Sequence, residues 1–330
     1  KRLFNTAPQI SDKIRSLFER EIASERRQMD ESQRKAALLV LNNPVVVLTG
    51  GPGTGKTTTL KNIVSLAIEA GLSVTLASPT GKAAKRMEEA IGLEAKTIHR
   101  TLGAQGKTFA HHDKNKLNGD FFIIDENSMM DTALMNAWLK AIPDGAKVLF
   151  VGDADQLPSV GAGDVMRDFI NSGTIPVARL TEVHRTAKGS EIAINAQLVN
   201  KGQMPKVGGN VWTDDYAFIE TDGEMEIQEK MLEVVEGLIE KGTNTNDIQI
   251  LCPQKNKEIG TETMNSYLRW LLNPKAPAPE DVMEMPHFFD GEKVMQTSND
   301  YELEVFNGDM GIVSDILPDE SFIFNTEDGR

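Results

Sequence analysis

The 330 residues are 40% hydrophobic and 25% charged, an ordinary globular mixture long enough for two domains that each bury a core. Acidic residues outnumber basic ones 49 to 35, and the net charge of -14 argues against gripping a duplex by bulk electrostatics, though not against a local basic groove. Cys252 is the sole cysteine, which excludes a disulfide framework and a cysteine-rich zinc site, and the lack of a membrane-spanning run or signal peptide makes a cytoplasmic protein the expectation.

Ile10 to Asp30 reads as an amphipathic helix, with Ile10, Ile14, Leu17, Phe18 and Ile22 at helical spacing and a charged opposite face. A second helix is expected from Glu31 to Leu41 and carries Gln33. A glutamine amide can both donate to and accept from an adenine edge, although Gln33 alone reads as a solvated helix position.

Val45 to Leu48 is an apolar strand that runs into Gly50, four residues, then Gly55–Lys56–Thr57, the P-loop pattern. Glycines let consecutive backbone N–H groups turn toward one anion, and the helix starting near Lys56 adds its dipole. Gly51, Pro52, Gly53, Thr54, Gly55, Lys56, Thr57 and Thr58 are therefore the expected nucleotide cradle. Within it, Lys56 reaches the β- and γ-phosphates and the Thr57 hydroxyl can ligand Mg²⁺.

Ser73 to Ala77 reads as another buried strand, ending in Ser78–Pro79–Thr80 and a helix start bearing Lys82, Lys85 and Arg86. Thr80 and the following amides suit a phosphate, yet the basic residues by themselves describe only a solvated helix face. Thr97 to Leu102 starts a short helix. The polar stretch Gly103 to Gly119 can form a small hairpin around Thr108–Phe109–Ala110, with His111 and His112 at the surface.

Phe121 to Ile124 is an apolar strand ending in Asp125 and Glu126. At this distance after a P-loop, the pair suits Mg²⁺ held through water by Asp125 and an attacking water oriented by Glu126. Met129 and Met130 read as core. Lys147 to Val151 is a further strand, and Gln156 beyond its carboxyl end can touch a γ-phosphate. Arg185 follows another short strand, where a guanidinium suits the charge developing on a transferring phosphoryl group.

From about Asn210 an α/β pattern restarts, with a helix from Glu224 to Lys241 whose apolar positions are Met225, Met231, Leu232, Val235, Leu238 and Ile239. A buried strand is expected over Ile248–Pro253 and a helix from Glu262 to Leu272. After a proline-bearing connector, Val294 to Phe324 reads as short strands with turns at Asn307–Gly308–Asp309 and Pro318–Asp319.

The ordered series GGPGTGKTT, SPTGKAAKRM, TIHRTLG, IIDENSMM, VGDADQLPSVGAGD and LTEVHR resembles the superfamily 1 DNA helicases, in particular the RecD-like 5′-to-3′ branch. ILCPQKNKEIGTETMN, LLNP and NDYELEVFNGDMG resemble the start of that family's second domain and its insert. The resemblance implies an α/β P-loop NTPase: a RecA-like parallel-sheet domain over 31–210 with a β-hairpin pin at 103–119, then a partial second RecA-like domain over 211–285 and a small SH3-like β insert over 286–330. Residues 1–30 are an N-terminal helical segment.

It also implies roles. Gln33 reads adenine; Lys56, Thr57, Asp125 and Glu126 serve ATP and Mg²⁺; Gln156 couples hydrolysis to strand movement; and Arg185 is an arginine finger. Thr80, Lys82, Thr97 and His99 would line a single-strand track, and only that groove need be basic. Single-stranded DNA and DNA junctions are the implied partners of a monomer.

Two departures stand out. Asn127 follows the carboxylates where the family carries a small apolar residue, which puts the packing of that strand in question. The chain also stops at Arg330 inside the insert, so a piece of a longer helicase that binds ATP but unwinds poorly is expected. The rival readings are a relaxase-type or other P-loop DNA-dependent ATPase, and a non-catalytic ATP-dependent DNA-binding module. A nuclease lacks a second carboxylate cluster, and a kinase would not need the SPTGKAAK and GDADQLP segments.

Overall fold

The computed structural model describes residues 16, 19–22, 29–106, 108–182, 190–273, 275–276, 288–300, 302–303, 305–319 and 321–326. The chain divides into two compact units, Lys1–Lys188 and Gly189–Arg330.

In the first unit the order is α1 (Glu31–Asn42), β1 (Val45–Gly50), α2 (Lys56–Glu69), β2 (Val74–Ser78), α3 (Gly81–Ile91), β3 (Ala95–Thr97) and α4 (Ile98–Thr101). A two-residue hairpin follows, β4 (Ala104–Gln105) and β5 (Thr108–Phe109), then β6 (Phe121–Ile124), a 3-10 turn at Asn127–Met129, α5 (Thr132–Ala141), β7 (Lys147–Gly152), α6 (Val165–Asn171) and β8 (Val177–Leu180). Six strands form one parallel sheet in the order β3-β2-β6-β7-β1-β8.

Both faces of that sheet are covered, which is why its central strands read as unbroken apolar runs. Alternate residues go to opposite sides. Val46, Leu48, Phe121, Ile123, Leu149 and Val151 pack with α1 and α2, while Val45, Val47, Phe122, Ile124, Val148 and Phe150 pack with α4, α5 and α6. Trp138 of α5 meets Phe122 edge-on at 6.1 Å. Of the N-terminal segment, Ser16 and Glu19–Ile22 are helical, and Ile22 is buried in the first of these two cores.

The carboxyl ends of β1, β6 and β7 thus open on one edge, two strand spacings or roughly 10 Å across. β1 lies where neighbouring strands connect in opposite directions, the place at which parallel sheets bind ligands.

Several expectations change. Asn127 does not disturb the strand: β6 keeps its register with β7 through Ile124 opposite Phe150, and Asn127 sits beyond it in the 3-10 turn. It is fully buried there, and neither its Nδ2 nor its Oδ1 has a hydrogen-bond partner among the described residues. Met130 is core, but Met129 is about half exposed because that turn aims it outward. His112 is exposed as expected, whereas His111 is only partly exposed and its Nδ1 is buried.

The second unit contains α7 (Glu191–Asn200), α8 (Glu224–Glu240), α9 (Thr261–Leu272) and an antiparallel sheet of β9 (Lys293–Met295), β10 (Met310–Ser314) and β11 (Ile323–Thr326), with β10 in the middle. Val235, Met264 and Leu268 form its small helical core. Met225, expected on the apolar side of α8, is exposed.

Ile248–Pro253 is not a strand. Among the described residues no strand lies beside it to satisfy its backbone, so it runs as extended chain, with Ile248, Ile250 and Cys252 on the core and Leu251 exposed. The Arg269 guanidinium forks onto Glu292 and stacks over the Phe289 ring, tying α9 to the chain leading into β9.

Candidate functional site

At the end of β1 the chain turns through Gly53 and Gly55, both at positive φ, and α2 starts directly at Lys56. Gly50 has negligible room: a Cβ there would lie 2.6 Å from Thr54 Oγ1 and 2.9 Å from Leu180 O. The buried Thr54 locks the loop, its hydroxyl donating to Gly51 O at 2.8 Å. Lys56 Nζ folds back and donates to Gly50 O at 2.5 Å and Gly51 O at 3.1 Å. Thr57 and Thr58 are exposed at the mouth. This is an anion cradle, with backbone N–H groups, a helix N-terminus and one cation.

Asp125 and Glu126 follow β6 at the same edge. Burial pushes the Asp125 carboxyl up to about 6, with the Glu126 charge adding to the rise, while the Glu126 N–H at 2.9 Å and the nearby Lys56 pull it down. Glu126 takes a left-handed backbone conformation (φ 53, ψ 40), strained for a residue with a Cβ, and this turns its side chain out of the strand's alternation. Asp125 and Thr57 offer hard oxygen donors that suit a nucleotide-borne Mg²⁺. Among the described residues no group of three or more His, Cys, Asp or Glu forms a metal cage of its own.

Gln156 lies four residues past β7 and is exposed. Its loop is held from two sides. Ala154 N–H donates to Thr49 Oγ1 of β1 at 3.2 Å, and the Ser128 hydroxyl donates to Gln156 Oε1 at 3.2 Å. Farther along, the loop closes on the start of α5. Gly163, at φ +106, passes so close that a Cβ would lie 2.1 Å from Thr132 Oγ1.

Gln33 is buried rather than solvated. Its Oε1 accepts the Asp30 N–H at 3.1 Å while Asp30 Oδ1 accepts the Gln33 N–H at 2.9 Å, a capping box at the start of α1. Neither Asp30 nor Ser128 stood out in the sequence.

Thr80 and Lys82 follow β2, and Thr97 and His99 lie at the end of the adjacent β3, where Ser78 pairs with Thr97. Thr80 caps α3, its hydroxyl accepting the Ala83 N–H, and Lys82 lies partly buried in the first turn of that helix. Thr97 is buried and caps α4 through the Arg100 N–H, leaving His99 as the exposed group there, 5.9 Å from the Phe109 ring of the hairpin. Arg185 lies outside the described residues.

Cradle, carboxylates and parallel sheet together define a P-loop nucleotide-binding protein with a RecA-like core. The chain belongs to the AAA domain family, whose model matches residues 28–221, and residues 264–326 match the ATP-dependent RecD-like DNA helicase SH3 domain.

It is 37% identical over 291 residues to the ATP-dependent RecD2 DNA helicase of Deinococcus radiodurans, covering 87% of this chain and 38% of that protein. Against the RecBCD enzyme subunit RecD of Mycolicibacterium smegmatis it is 31% identical over 325 residues, covering 86% of this chain and 57% of that one. The chain therefore spans from about two fifths to under three fifths of these relatives. A Pif1 helicase in a structure of forked-duplex unwinding shares the fold at a TM-score of 0.53 and 21% identity, over 92% of this chain and 75% of that one. No described helix is long and apolar enough to cross a membrane.

Proposed function

We propose that this chain is the motor part of an ATP-dependent DNA helicase that moves 5′-to-3′ along single-stranded DNA and opens duplex at junctions, acting as a cytoplasmic monomer. The observation that carries the reading is the convergence of Lys56, Asp125, Glu126 and Gln156 on one sheet edge around an anion cradle. The relatives' names, RecD2 DNA helicase and RecD, support DNA as the substrate.

In this reading Lys56 exchanges its bonds to Gly50 O and Gly51 O for the β- and γ-phosphate oxygens. Glu126 orients a water on the γ-phosphorus and takes its proton, and Gln156 touches the γ-phosphate and feels its loss. Asp125 and Thr57 would hold Mg²⁺, which supplies charge screening to the phosphates when bound. Arg185 serves as an arginine finger. Thr80, Lys82 and His99 face the strand, with Thr97 fixing the turn that carries His99, and the hairpin within 103–119 is the strand-splitting pin.

The test is ATP turnover with and without single-stranded DNA. Strong stimulation would support a DNA-driven motor. ATP binding with no stimulation would mean that turnover needs more than this chain, which spans only part of its relatives. No ATP binding would overturn the cradle and the motor reading with it.

Gln33→Glu separates two uses of one side chain. A glutamate still accepts the Asp30 N–H, so α1 keeps its cap, but the Nε2 donor to adenine is lost. ATP affinity should fall about tenfold, with GTP affinity and melting temperature unchanged. Equal losses for ATP and GTP would show that Gln33 acts only on the helix.

A further inference from the structure

We infer that Ser128 is a positioning residue for the γ-phosphate contact: its hydroxyl holds the Gln156 carboxamide so that Nε2 is presented to the phosphate, and it couples that amide to the turn bearing Glu126. The inference rests on the reading of Gln156 given above.

The geometry is specific. Ser128 is buried, two residues beyond Glu126, and its hydroxyl donates to Gln156 Oε1 at 3.2 Å across a sequence separation of 28. A glutamine amide offers one acceptor oxygen and two N–H donors, whereas phosphate oxygens only accept. With Oε1 occupied by the serine, the part left to meet an anion is Nε2, and donation into Oε1 polarises the amide toward stronger donation at Nε2. The bond also removes rotamer freedom from a side chain that is otherwise solvent-exposed.

The surrounding contacts leave the pair little play. At Gly152, which ends β7, a Cβ would approach Asn127 N and Ser128 N to 3.2 Å, so the turn seats directly on the strand that launches Gln156. Thr49 Oγ1 anchors the same loop from β1, and Gln156 N–H donates to Asp153 O at 3.3 Å. The loop is thus fixed through contacts to its backbone, and Ser128 adds a contact to the Gln156 side chain itself. A displacement of the 127–129 turn therefore moves the amide, and loss of the γ-phosphate releases a group tied to the carboxylate strand.

The experiment is a double-mutant cycle read by equilibrium binding of a fluorescent ADP and a non-hydrolysable ATP analogue with Mg²⁺ to the wild-type chain, Ser128→Ala, Gln156→Ala and the double variant. Ser128→Ala should weaken the ATP analogue about tenfold and leave ADP unchanged, and it should add nothing in the Gln156→Ala background. Ser128→Thr, which keeps the hydroxyl, should restore ATP-analogue binding. Equal weakening of both nucleotides, or an undiminished effect in the Gln156→Ala background, would overturn the positioning role. If Gln156→Ala alone fails to separate the ATP analogue from ADP, the γ-phosphate reading of Gln156 falls first and takes the inference with it.

Discussion

Lys56→Ala is expected to reduce ATP turnover at least ~100-fold and to weaken nucleotide binding with it, because a preorganised donor aimed at developing phosphate charge contributes on that scale. Folding should be unaffected. The Lys56 ammonium is only partly buried, and the bonds seen for it go to Gly50 O and Gly51 O, carbonyls of a loop that Thr54 already locks through its own hydroxyl. Glu126→Gln is the companion measurement. It preserves shape and the left-handed turn but removes the base, so turnover should fall ~10²- to 10⁴-fold while ATP binding stays intact. Comparing initial hydrolysis rates with equilibrium ATP binding separates the two roles. A Glu126→Gln chain that hydrolyses ATP at the wild-type rate would remove Glu126 from the chemistry.

How far the site could be read in the sequence depended on how local its physics is. The cradle was legible because close approach and positive φ demand glycine at fixed spacing, and Gly50, Gly53 and Gly55 meet that demand. The carboxylates were legible because they end an apolar strand. Ile248–Pro253 looked equally like a strand, yet a strand exists only with a neighbour to bond, and no described strand lies beside it. Conversely, β3 at Ala95–Thr97 carries no apolar run because it is the edge of the sheet; only its pairing with Leu76–Ser78 makes it a strand. Ser128 was invisible for a further reason: its significance lies in a contact with a residue 28 positions away.

Lys147 is the most distant such case, and its loss should cost the most stability. A lysine at the head of an apolar strand reads as a solvated end, yet only 5% of this one is exposed, and its Nζ donates to Val40 O, Leu41 O and Asn43 O at 3.0, 3.1 and 2.7 Å. These are carbonyls at the C-terminus of α1, a helix with no basic residue in its own last turn, so β7 supplies the cation that the helix end lacks. Lys147→Met keeps the stem in the apolar pocket formed with Ala37, Val40, Ile63, Leu66 and Phe121 but strips the carbonyls of their donors. Leaving them buried and unpaired should cost about 2–4 kcal/mol, a fall of about 6–12 °C in the melting temperature of the first unit. Because α1 also carries Gln33 at its other end, a loosened C-terminus should weaken ATP binding, an effect that Gln33→Glu would already have removed. A Lys147→Met chain that melts like the wild type would mean the carbonyls find other donors, and that β7 does not hold α1 in place.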